Sequence, residues 1–377
     1  MGTRSVLGRA DVSDVTLRRI VADSLGRPAV DVVECCAEVA EYDLEALTTA
    51  GRYWVRGTAR HADGDTPFAF FVKVVQSWSR SPLFQSLPVE MRPSALDSVP
   101  WRSEPLVYGS DLGQRLPTGL TLPKAYAIFD LDEDSTALWL EAVDVDPVRW
   151  DHARYARGAY LLGRLAASPA VRPLAALGKS DVVRSYAHGR LQGQVLPALR
   201  DPGLWQQPLV AASFDPSLRE RTSAMVEALP GFLDELDRMP LGTAHGDACA
   251  RNLLITPGNP DGFTLIDFGF WCSSPLGFDL TQLLLGEVQM GERPASELHD
   301  LETGCLESYV RGLRDEGCDV PLGRVRRAHA LLLLVFGALS TVPLEHLGAP
   351  PRPELVALAR ERAAVAAFAF DLVDETH

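Results

Sequence analysis

The stretch AHGDACARNLLITPGNPDGFTLIDFGFW, residues 244–271, sets His245, Asp247, Asn252 and Asp267 around two short apolar runs and one turn. NLLIT and FTLIDF flank PGNPDG, so they read as a small β-hairpin. Asp247 and Asn252 then lie on the loop before the first strand, and Asp267 lies at the end of the second. A hairpin brings such side chains to one point. Phosphoryl transfer needs groups of this kind: a carboxylate to orient an attacking hydroxyl, and oxygen ligands for a magnesium ion that neutralises the donor's phosphates.

Upstream of the hairpin the pattern divides in two. DVTLRRIVADSL (residues 14–25) has helical spacing behind a Ser/Asp cap. DVVECCAEVAEYDL, GRYWVRGTARH and TPFAFFVKVVQ are strand-like, the last two joined by ADGD, and KAYAIFDL and TALWLEAV follow around DEDS. After Val143 the periodicity is helical, in RYARGAYLLGRLAA, SLRERTSAMVEALPGFLDELDRM, DLTQLLLGEVQM and PELVALARERAAVAAFAFDLV. An α+β chain of two lobes is expected: a β-rich lobe over residues 1–143 and a helical lobe over residues 144–377, hinged at Glu141 to Val143. At 377 residues the chain exceeds what one hydrophobic core usually supports.

Composition narrows the partners. A formal net charge of -14 with no basic stripe argues against nucleic acid. The six cysteines show no CxxC pair or zinc-ribbon spacing and read as reduced thiols of a cytoplasmic protein. Among them Cys249 reads as a small filler. The apolar run Ala328–Val342 carries His329 and falls short of the roughly 20 residues that span a bilayer, so a buried helix and no membrane partner are expected. Lysine is scarce, at Lys73, Lys124 and Lys179. Lys73 stands in FAFFVKVVQ, where a charged ammonium is costly unless paired.

HGDACARNLL followed by LIDFG resembles the two-part HGDxxxxN and IDFG signature of the aminoglycoside phosphotransferase and choline kinase-like family, small-molecule kinases that share the protein-kinase fold. The resemblance implies that Asp247 is the catalytic base and that Asn252 and Asp267 hold magnesium. It implies that Lys73 contacts the donor's phosphates and pairs with Glu104 on a helix, with Glu90 in reserve. His245 and Asp279 are then structural supports of the catalytic loop; without the resemblance Asp279 reads as a helix N-cap. The nucleotide's base is expected at backbone groups of Glu141 to Val143, with ATP or GTP as donor.

The chain departs from the family pattern in three places. Between the first two strands there is no GxGxxG, so phosphate cradling falls to hydroxyls and amides of LTTAG or is weak. Lys73 and Glu104 are 31 residues apart, and Pro105 requires Glu104 to stand at a helix start. Gly246 replaces the arginine of regulated protein kinases, and no APE signature closes the 12-residue interval from Asp267 to Asp279. A small-molecule alcohol is therefore the expected acceptor: an antibiotic such as an aminoglycoside, another natural product, or a metabolite such as a sugar or amino alcohol. Glu287 and Glu292 read either as attractors for a cationic acceptor or as a solvated helix end. A non-catalytic nucleotide-binding relative is the alternative from a different class, and a metal hydrolase built on His245 and Asp247 lacks a further histidine at ligand spacing. The sequence leaves the oligomeric state open.

Overall fold

The computed structural model describes residues 3–41, 46–85, 87–348 and 350–377. The chain forms two compact units, Met1–Gln114 with Thr121–Asp146, and Arg115–Leu120 with Pro147–His377. The division thus falls after Asp146 rather than after Val143. Arg115–Leu120 joins the second unit because the Gly119 carbonyl accepts the Phe263 amide at 2.8 Å. Part of the expected first strand and its connection, residues 42–45, lies outside the described residues.

The first unit is built on an antiparallel sheet of β1 (Asp31–Val39), β2 (Thr49–His61), β3 (Gly64–Gln76), β4 (Ala125–Asp132) and β5 (Ser135–Glu141), in the order β1-β2-β3-β5-β4. Alternation along β3 sends Phe68, Phe70, Val72 and Val74 to one face, where they pack with Val55, Ala137 and Trp139. Helix α1 (Asp14–Ser24) closes that face with Leu17, Ile20 and Val21. Its start is fixed by Ser13, whose hydroxyl accepts the Thr16 amide at 3.2 Å. The opposite face carries Lys73, and the short helix α2 (Ser103–Tyr108) brings Glu104 to it.

The second unit is mainly helical: α3 (His152–Ala167), α4 (Pro216–Leu236), α5 (Phe278–Gln289), α6 (Leu298–Asp315), α7 (Leu322–Phe336) and α8 (Pro353–Glu375). Two glycines set the approach of α3 to α6. A Cβ on Gly163 would lie 2.1 Å from the Tyr309 carbonyl oxygen, and one on Gly312 would lie 2.1 Å from that of Tyr160. Leu322–His346 is, by length and composition, long and apolar enough to cross a bilayer, contrary to the shorter run expected from the sequence. In the fold 78% of its most apolar window is buried, and α7 ends at Gly337. It is a core helix of this unit.

Short strands carry the quoted stretch. β6 (Leu241–Ala244) and β9 (Cys272–Pro275) pair antiparallel, with Ala244 opposite Cys272. Between them β7 (Leu253–Thr256) and β8 (Asn259–Leu265) form the expected hairpin. Its turn is tighter than PGNPDG suggested: only Pro257 and Gly258 separate the strands, because Asn259 already pairs with Thr256.

Candidate active site

In the first unit Lys73 and Glu104 meet. Both are buried, at 5% and 3% exposure, and the Lys73 ammonium lies 2.9 Å from Glu104 Oε1 and 2.7 Å from Oε2. Pro105 fits because Glu104 stands in the first turn of α2, where the missing amide hydrogen leaves no helical bond unmade. Glu90 is exposed on the turn Val89–Met91, so the reserve assignment is not needed. Burying an ion pair costs about as much as the attraction returns, so such a pair fixes a geometry more than it adds stability.

At the end of β5 the expected base contacts divide. The Glu141 amide donates to the Lys124 carbonyl at 2.8 Å, and Glu141 Oε2 accepts the Lys124 amide at 3.0 Å. The Glu141 N–H is thereby committed to the edge of the sheet. Its carbonyl and the backbone of Val143 are what remain for a base.

In the second unit the two paired strands β6 and β9 hold both ends of the stretch, so the loop from His245 to Asn252 starts from a fixed point. Asp279, the second residue of α5, accepts the His245 amide on Oδ2 and the Gly246 amide on Oδ1, each at 2.9 Å. It is therefore a brace of the loop and not an N-cap; Gly277 holds the cap position, with its amide on the buried Tyr309 hydroxyl at 3.1 Å. Gly246 has φ +90, and a Cβ there would lie 1.9 Å from the Phe270 carbonyl oxygen. No side chain fits at Gly246, which explains the lost arginine by space as well as by chemistry.

His245 is fully buried. Its Nε2 donates to the Ile266 carbonyl at 3.0 Å, and its Nδ1 accepts the Asp247 amide at 3.3 Å. These partners require the neutral ring, and burial lowers its pKa to about 4 despite the nearby Asp267 carboxylate. With both nitrogens engaged, His245 joins the His245–Asn252 loop to the end of β8 and has none left for a metal. That removes the basis of the hydrolase reading.

Asn252 Nδ2 donates to the Asp247 carbonyl at 2.8 Å and to Asp247 Oδ2 at 3.0 Å. The Asn252 carbonyl in turn accepts the Ile266 amide at 3.1 Å, which ties this loop to the residue preceding Asp267. Asp267 itself has φ 63 and ψ 66, the sole non-glycine residue of positive φ among those described. A left-handed aspartate is costly and marks a position held by its surroundings. Phe268 behind it packs on the His245 ring, centroids 5.0 Å apart.

Burial raises the Asp279 carboxyl to about 6 even though it accepts two amides. Burial likewise pushes the Cys249 thiol up to about 12, with Asp247 adding to the shift, so Cys249 is no nucleophile. It serves as filler: a Cβ on Gly286 of α5 would come 2.7 Å from Cys249 Cβ.

The two acidic residues Glu287 and Glu292 each have an ion-pair partner. Glu287 accepts the Tyr155 hydroxyl at 2.5 Å and Arg293 Nε at 3.0 Å, and Glu292 pairs with Arg251 of the loop that carries Asp247. Both are ion-pair partners within the second unit: Glu287 is part-buried, and Glu292, past the end of the helix, is exposed, as a solvated helix end would be. The sequence reading missed Tyr155, Arg251 and Arg293, which stand outside any motif. The β6–β9 pairing was missed as well, because LGTA and CSSP are too short to show alternation.

Among the described residues no group of three or more His, Cys, Asp or Glu side chains forms a metal cage. The donors in hand are Asn252 Oδ1, since Nδ2 is the atom turned to Asp247, and the Asp267 carboxylate. Two oxygen donors on short stems suit magnesium, which keeps water and substrate phosphate in most of its positions, and do not suit zinc or a dedicated calcium cage.

The sequence profile of a family described as "Phosphotransferase enzyme family" matches residues 113–317. No curated protein matches the chain. Among solved structures the chain is similar to an aminoglycoside phosphotransferase from Alicyclobacillus acidocaldarius, at 17% identity over 90% of this chain and 92% of that one, with a TM-score of 0.49. It is also similar to a spectinomycin phosphotransferase in complex with ADP and spectinomycin, at 10% identity over 89% and 93%, TM-score 0.42. A Plasmodium vivax ethanolamine kinase aligns at 10% identity over 90% of this chain and 83% of that one, TM-score 0.46.

Proposed function

Because this chain belongs to the phosphotransferase enzyme family, we propose that it moves the γ-phosphoryl group of ATP or GTP to a hydroxyl of a small molecule. The observation that carries this reading is the Asp247 carboxylate, held by the Asn252 amide on a loop whose backbone is fixed by Asp279 and His245. Asp247 orients the acceptor hydroxyl and takes its proton as the new P–O bond forms and the bond to the β-phosphate's bridging oxygen breaks. Lys73, aimed by Glu104, binds non-bridging phosphate oxygens. Asn252 and Asp267 are the residues that would hold magnesium, whose chemistry is to offset charge on the phosphates. The Glu141 carbonyl and the Val143 backbone are the groups left to receive the base.

A small acceptor is supported by the interval from Asp267 to Asp279. Cys272–Pro275 within it is a strand paired to β6, so the segment is spent on anchoring the catalytic loop and presents no extended platform for a peptide. Within the small alcohols, the reading covers aminoglycoside-like antibiotics and other natural products as well as sugars and amino alcohols.

The test is a thermal-shift titration with ATP and GTP, with and without magnesium, followed by a screen of alcohols for nucleoside diphosphate release. A magnesium-dependent upward shift, and a released diphosphate that Asp247→Ala abolishes, is the expected result. Absence of any shift with both nucleotides would return the chain to a non-catalytic role.

A further inference from the structure

Asp279 and Gly286 stand seven residues apart on α5, two helical turns, so they share one face and lie about 10 Å apart along the axis. The first takes the His245 and Gly246 amides on its carboxylate. The second meets Cys249: a Cβ on Gly286 would lie 2.7 Å from Cys249 Cβ and 3.6 Å from its Cα. The segment 246–249, with Asp247 inside it, therefore rests on the helix at both ends. One end is held by charge and hydrogen bonds, the other by the closeness that a missing side chain allows.

Glycine in a helix interior is less stable than alanine, so its presence at 286 needs a reason, and the approach of Cys249 is one. The helix cannot readily retreat from an added methyl group. Leu283, Leu284 and Leu285 around position 286 are buried to within 1% of full, and Glu287 is held by the Tyr155 hydroxyl and Arg293. The loop has to give instead. Cys249 lies two residues from Asp247, and its carbonyl accepts the Asn252 amide at 2.9 Å. Asn252 in turn holds Asp247 Oδ2 at 3.0 Å. A shift of Cys249 carries Asn252 with it and tilts Asp247 about Gly246, which stays fixed on Asp279.

We propose that Gly286 is a positioning residue: it sets how closely the loop seats on α5, and so the place from which the Asp247 carboxylate meets the acceptor hydroxyl. The inference rests on the phosphotransferase reading. A displacement of about 1 Å in a group that must meet a reacting atom can lower a rate about 100-fold. Lys73 and Glu104 belong to the other unit and are untouched by it.

The experiment is steady-state release of ADP from magnesium ATP, with water as the phosphoryl acceptor, alongside urea unfolding of the same proteins. The full chain is compared as wild type, Gly286→Ala, Gly286→Ala with Cys249→Gly, and Gly304→Ala. Gly304 is exposed on α6 with nothing within 4 Å of an added Cβ, and it serves as the control for alanine in place of a helical glycine. Gly304→Ala should keep turnover and raise the unfolding midpoint. Gly286→Ala should lower turnover roughly 10–100-fold, with KM for magnesium ATP changing far less. The double variant, which exchanges the bare position between helix and loop, should recover most of the loss. Wild-type turnover in Gly286→Ala, or a double variant no better than the single, would overturn the inference and leave the phosphotransferase reading standing. A rise in KM as large as the fall in turnover would overturn it too, since that marks a general loss of the site. If Gly286→Ala does not fold, the double variant decides: folded and active it upholds the inference, unfolded or inactive it overturns it. Failure of the wild type to release ADP would remove the reading and the inference together.

Discussion

The two units hold their charged groups by different physics. In the first, Lys73 and Glu104 form a buried ion pair, cation against carboxylate. In the second, the carboxylate of Asp279 is met by two backbone amides, and Asp247 by the amide side chain of Asn252, with no cation in either contact. An ion pair depends on both members, and loss of one leaves the other stranded. Amide-held carboxylates keep the negative charge available for work. The difference is the one expected if, as proposed above, Lys73 binds phosphate and Asp247 accepts a proton.

The largest test of this contrast is catalytic. Asp247→Ala should lower turnover by roughly 10²–10⁴-fold, the usual worth of a positioned general base, with nucleotide affinity nearly intact. Steady-state kinetics and titration of the same variant would show it. If affinity fell as far as turnover, Asp247 would be a binding group and the contrast with Lys73 would vanish.

Stability provides the next test. Glu104→Ala removes the carboxylate that meets the buried Lys73 ammonium and should cost about 3–5 kcal/mol in denaturant unfolding, whereas replacing Lys73 and Glu104 together by Met and Leu should cost less. Asp279→Ala should cost roughly 1–3 kcal/mol for each of the two amides it leaves bare, with Asp279→Asn recovering part. A double replacement at Lys73 and Glu104 as damaging as the single one would show that the ion pair is not what the single replacement breaks. Gly246→Ala sharpens the second half of the comparison: its positive φ and the 1.9 Å approach to Phe270 predict a loss of about 1–3 kcal/mol or more together with turnover.

How much of this was readable in the sequence follows the same division. Asp247, Asn252, Asp267 and Asp279 lie close along the chain, so fixed spacing encodes their geometry, and the hairpin between them was visible as two apolar runs and a turn. Lys73 was visible as a charge in an apolar strand. Its pairing with Glu104 was legible only through resemblance, because 31 residues of short turns and helices intervene and no local pattern measures that distance. The partners of Glu287 and Glu292, namely Arg293, Tyr155 and Arg251, were not legible because they come from turns and helices that carry no motif.

The last expected effect, smallest at neutral pH, concerns two histidines of the second unit that burial treats alike. His245 and His329 are both fully buried, and for both burial lowers the pKa to about 4. His245 has a backbone partner on each nitrogen; His329 lies beside the Gly277 peptide, and neither ring nitrogen makes a hydrogen bond of ordinary geometry among the described residues. Between pH 6.5 and 4 the unfolded chain binds protons that the folded chain refuses, so stability rises with pH across that window and is lost as pH falls through it. Each ring contributes about 3 kcal/mol to that acid limb at full effect, at about 1.4 kcal/mol per unit. His329→Phe should remove its share while leaving stability at pH 7 unchanged or raised, since no hydrogen bond is broken. His245→Phe should also flatten the limb but lower stability at pH 7, because the Ile266 carbonyl and the Asp247 amide lose their partner. Urea unfolding of both variants at pH 7 and pH 5 separates them. Equal losses at pH 7 would mean that His329 too is held by a partner and that the backbone hold on His245 is not what distinguishes the catalytic loop.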